Sequence, residues 1–157
     1  MKRLILAAVL ALAAPDAMAE GLVSGPARIA DEATLPAVAV VDAFHAALGS
    51  GNAGAVLLLL TEDVMILEEG GAERSREEYA GHHLPADMAY AAATGSEVTR
   101  RSAWIEGDIA WVLSEGRTSG QFNGRAVNRL TAETMILQRH ADGWRIRHIH
   151  WSSRAPR

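Results

Sequence analysis

Between Pro36 and Leu48 the apolar residues Val38, Val41, Phe44 and Leu48, together with His45, recur at spacings of three and four. That period gathers them on one face and predicts an amphipathic helix. Pro36 suits a first helical turn, where its missing N–H would find no intrahelical partner, and Thr34 stands before it as a cap. Gly49-Ser50-Gly51 ends the helix, and Asn52 can cap a second short one through Leu60. Thr61-Glu62-Asp63 turns into the apolar run Val64 to Leu67, a strand, closed by a hairpin-type break at Gly70-Gly71. Ser75 and Glu78 have capping-box spacing, which starts a helix near Arg76. Pro85 should break or kink it, because the proline ring clashes with the carbonyl one turn back. A further helical piece follows over Ala86 to Ala93.

After Gly95 the period shortens to that of strands, with candidates at Glu97–Glu106, Ile109–Ser119, Arg125–Arg139 and Trp144–Ser152. Gly107-Asp108, Gly120 to Gly124, and Ala141-Asp142-Gly143 connect them, short turns of the kind antiparallel neighbours need. Helices first and a four-strand meander afterwards predict an α+β fold, a curved antiparallel sheet with the N-terminal helices packed on its concave face.

The first residues follow a different pattern. Lys2 and Arg3 precede the apolar run Leu4 to Ala14, and Ala17-Met18-Ala19 offers a small-x-small cleavage site. These features predict a signal peptide over residues 1–19 and a periplasmic or secreted product. Residues 20–34 mix Gly, Pro, Ser and charge and are expected to form a flexible lead-in to a domain over residues 35–153. Once the leader is removed no segment is expected to sit in a membrane. The 157-residue chain carries 15 Lys+Arg against 19 Asp+Glu and no cysteine. An acidic chain without a basic block argues against a nucleic-acid partner. The missing cysteines exclude a disulfide scaffold, a thiolate metal site and a cysteine nucleophile.

Three stretches resemble the nuclear-transport-factor-like, SnoaL-like superfamily of cone-shaped α+β domains. They are Gly107 to Val112, Ala132 to Leu137, and Gly143 to Ser152, the last with a W…H-x-H-x-S pattern. The resemblance spans about residues 36–153. It implies a pocket between the first helix and the concave sheet face, and a homodimer formed through the sheet. In the association domain of calmodulin-dependent kinases, which is similar to this chain, the pocket carries arginines. Two of those positions fall on Met135 and Trp151 here, so an apolar lining replaces the anion-binding pattern and no carboxylate ligand carries over. Val112 is expected beside them.

Strand period places Ile146, His148, His150 and Ser152 on one face of the last strand, with Arg147, Ile149 and Trp151 on the other. His148 and His150 are candidate ligand-binding residues, half of a metal site that lacks further donors, or partners across the sheet. Tyr79, His83 and Asp87 would stack on an unbroken helix, with Asp87 orienting His83 as a general base; the alternative is a solvated helix end. Asp42 and His45, one turn apart, could pair. A proton-transfer site would need a buried carboxylate such as Glu133 or Asp42 and a donor such as Tyr79 or Tyr90. Trp104, Trp111 and Trp144 are expected in the core or an interface, and Arg100 and Arg101 on a solvated strand face. The expectation is an exported domain that binds a mainly apolar small molecule, with acid–base isomerisation, cyclisation or hydration by His83, Asp87 and Glu133. A non-catalytic binding or assembly module and a histidine metal protein stand as alternatives. No cofactor or metal is implied.

Overall fold

The computed structural model describes residues 34–157. The expected signal peptide and nearly all of the lead-in lie outside the described residues. Helix α1 (Leu35–Gly49) buries Ala37, Val41, Phe44, Ala47 and Leu48, the stripe set by its spacing, and Thr34 occupies its N-cap position. Helix α2 (Ala53–Leu58) starts where the Asn52 side chain accepts the Ala55 N–H at 3.0 Å. It stops short of Leu60, which already belongs to strand β1 (Leu60–Glu68), and β2 (Gly71–Glu73) folds back on β1. Ser75 caps α3 (Arg76–Gly81) by accepting the Glu78 N–H. Pro85 does break the helical run, and it lies inside the first turn of α4 (Leu84–Ala93), where no N–H is needed.

Four long strands follow: β3 (Thr94–Glu106), β4 (Ile109–Phe122), β5 (Arg125–His140) and β6 (Gly143–Arg154). The turns between them hold Gly107 and Gly124 at positive φ. The fold is α+β, an open, curved six-stranded sheet in the order β2-β1-β6-β5-β4-β3 with the N-terminal helices against it. All pairings are antiparallel except β1 with β6, which is parallel and adds a seam to the expected meander.

Side-chain rows cross this sheet from strand to strand. Ala103, Val112, Met135, Ile149 and Ile66 form one inward row, every member at most 5% exposed. They pack in one core with Val41 and Phe44 of α1 and with Tyr79 and Leu84. Truncating Phe44 to alanine in such a site costs about 3–5 kcal/mol. The next row outward is Arg101, Ser114, Glu133, Trp151 and Glu68. The apolar row closes the floor, and the polar row stands above it.

Candidate functional site

The polar row opens into a cavity of about 790 Å³ between the sheet, α1 and α4. Arg101, Ser114, Glu133, Trp151 and Glu68 all line it. Asp42 and His45 reach it from α1, His83 from the turn before α4, and Asp87 and Tyr90 from α4.

Glu133 sits at the centre of the row with its side chain only 9% exposed. Its Oε2 accepts from His45 Nε2 and from Trp151 Nε1, both at 2.8 Å. Its Oε1 is buried and has no hydrogen-bond partner. Burial pushes the Glu133 carboxyl up, but the His45 and Trp151 hydrogen bonds and the Arg101 charge outweigh it. The net position is below the ordinary carboxylate value, so Glu133 is held ionised. Arg101 is fixed between Asp42 (Nη1 to Oδ1, 2.6 Å) and Ser114 (Nε to Oγ, 3.2 Å).

The wall under α4 is built the other way. Tyr79, fully buried, donates to Asp87 Oδ2 at 2.8 Å. His83 Nδ1 donates to Glu73 Oε1, and Glu73 is buried while the His83 side chain is 58% exposed. Burial, with the Glu73 charge, raises Asp87 despite the Tyr79 hydrogen bond and nearby His83. Desolvation and the Asp87, Glu69 and Glu73 charges also raise Glu68, although its side chain reaches solvent. The hydrogen bond to Glu73 raises His83. Burial and the Asp87 charge and hydrogen bond push the Tyr79 hydroxyl upward, so it remains a donor.

The family model of the SnoaL-like domain matches residues 37–156. The chain belongs to this family. A Shewanella frigidimarina protein provisionally assigned as a ketosteroid isomerase is 42% identical to it, with a TM-score of 0.71 over 74% of this chain and 94% of the other. A Streptomyces avermitilis protein of the NTF2-like family, provisionally assigned as a dehydratase, is 20% identical with a TM-score of 0.68, covering 79% and 97% of the two chains. The S. rosetta CaMKII hub is 18% identical with a TM-score of 0.67, covering 83% and 98%. The last two share the fold at these identities. No curated protein matches the chain.

In this SnoaL-like domain the expected site residues separate into three groups. His83, Asp87, Glu133 and Trp151 line the cavity. Asp87 accepts from Tyr79 and not from His83, which turns to Glu73, so the expected Asp87–His83 orientation is absent. Tyr79 meets the cavity only through Asp87, and Val112 and Met135, both 0% exposed, belong to the sealed floor. His148 and His150 lie outside the cavity lining; His148 Nδ1 donates to the Met65 carbonyl at 3.0 Å. A register shift between Ile136 and Leu137 sets Arg147 out of the ladder. It puts Ile146 and Ile149 on the buried side, and the strict alternation expected from the sequence fails there. Among the described residues no three His, Asp or Glu side chains are arranged to hold a metal ion, and no helix is long and apolar enough to cross a membrane.

His45 and Arg101 are the site residues that the sequence placed elsewhere. His45 pairs with Glu133 and leaves Asp42 to Arg101, which points into the cavity and is 18% exposed. No local signal marks either pairing, since each joins α1 to a strand residue far along the chain.

Proposed function

We propose that this SnoaL-like domain is an exported acid–base enzyme that isomerises a mainly apolar small molecule, with Glu133 as the base. The unpartnered Oε1 of a buried, ionised carboxylate carries this reading. A carboxylate kept below its ordinary pKa removes a proton only from a carbon acidified by an adjacent carbonyl. The Arg101 guanidinium, on the same row, faces the negative charge that develops on that carbonyl oxygen. In isomerisation the proton on Oε1 returns to another carbon of the same molecule, and His45 and Trp151 hold Oε2 throughout. The apolar floor keeps water from the intermediate.

The assay is conversion of a β,γ-unsaturated ketosteroid to its conjugated isomer, followed by enone absorption. Turnover that Glu133→Gln leaves untouched would refute the assignment. Export rests on the leader over residues 1–19, and the intact mass of protein from the periplasm should begin at Glu20. A homodimer through the outer sheet face draws support from the stacked Trp104–Trp111 pair (centroids 5.8 Å apart) and from Met65, 44% exposed in the same cross-strand row. Sedimentation of Trp111→Arg as a monomer is the expected result.

A further inference from the structure

We infer that the ligand carries a cationic nitrogen, seated between Glu68 and Asp87 beside the Trp151 ring. This deepens the proton-transfer reading and rests on it for the reacting end of the molecule. The proton-transfer chemistry leaves the wall under α4 unused, and that wall is short of positive charge. His83 makes its ion pair with Glu73 and reaches Glu68 and Asp87 only through space, so neither has an ion pair of its own, and Glu69 adds a further charge at the rim. Tyr79 gives Asp87 a hydrogen bond but no charge.

A second, independent observation lies on the same row. Trp151 pairs across the sheet with Glu68 on one side and Glu133 on the other. Glu133 Oε1 is an unpartnered acceptor on a side chain more than nine-tenths buried. The slot therefore presents two carboxylates, an indole and an unpartnered acceptor, which suits an ammonium joined to an apolar body. Adjacent strands lie about 4.8 Å apart, so the Glu68 and Glu133 backbones are separated by about 10 Å, with Trp151 between them. An ammonium at Glu68 then lays the apolar body over Trp151 and brings the far end to Glu133. Arg101 sits beyond, at the opposite end of the row, where a carbonyl oxygen would lie.

The test uses three probes with one ring: cyclohexylmethylamine, cyclohexylmethanol and cyclohexanecarboxylate, titrated by NMR on the indole N–H signal of Trp151. The amine should bind about tenfold more tightly than the alcohol, and the carboxylate more weakly than either. Glu68→Gln should bring the amine down to the alcohol and leave the alcohol unchanged; a melting curve checks that the variant folds. Equal affinity for amine and alcohol, tighter binding of the carboxylate, no amine binding, or an amine affinity indifferent to Glu68→Gln would each overturn the inference. Glu133→Gln should keep the preference for amine over alcohol while losing turnover. Loss of charge selection and loss of the base are thus separate failures.

Discussion

Two carboxylates face the same cavity from opposite walls and are treated in opposite ways. Glu133 receives two N–H donors and a nearby guanidinium, which more than offset its burial. Asp87 receives one hydroxyl and stands among other acids, so burial prevails and its carboxyl is raised. Burial alone does not decide the charge of a carboxylate; the count and sign of its neighbours do. One wall is thus built to hold an anion ready, and the other is left wanting a cation.

The contrast breaks most severely at Glu133. Replacing Glu133 with Gln should lower turnover of the ketosteroid by about 10²–10⁴-fold, the range for loss of a positioned general base. Trp151→Phe removes a charge-assisted hydrogen bond and should cost about 1.5–3 kcal/mol in urea unfolding, with Glu133 titrating higher. On the opposite wall Tyr79→Phe leaves Asp87 Oδ2 without its donor. It should cost about 1–3 kcal/mol and raise Asp87 further.

Stability against pH sharpens the comparison, because the two walls slope in opposite senses. Glu133 is lowered from the ordinary 4.5, so its contribution is present above that value and lost as pH falls through the folded pKa. Asp87 is raised from 3.8, so the folded state holds the extra proton and stability falls as pH rises from 3.8 to the folded pKa. Urea melts across the acid range should lose the rising limb in Glu133→Gln and the falling limb in Asp87→Asn. The smallest effect belongs to His83→Gln, below about 1 kcal/mol, because His83 is itself exposed and the glutamine amide can still donate to the buried Glu73 carboxylate. That contribution should be present below the ordinary histidine pKa and vanish as pH rises through the raised value.

Local signals were enough for most of the fold. The α1 stripe, the Asn52 and Ser75 caps, the Pro85 break and the glycine turns each act within a few residues, and all stand where their chemistry requires. The site was less legible because it is written across strands. Arg101, Glu133, Trp151 and Glu68 meet only through the register of five strands, including the parallel β1–β6 seam. The bulge at Arg147 reverses the face pattern of β6, and nothing in alternation alone marks it. The family resemblance identified the fold and brought Trp151 to the cavity. It also set Val112 and Met135 at the pocket, whereas the helix above seals both into the floor.

The most direct measurement is the carboxyl ¹³C titration of Glu133 and Asp87 in the same sample. Glu133 should titrate below the ordinary glutamate value and Asp87 above the ordinary aspartate value. A Glu133 carboxyl at or above the ordinary glutamate value, or an Asp87 carboxyl at or below the ordinary aspartate value, would contradict an ionised base on one wall and a cation-seeking acid on the other.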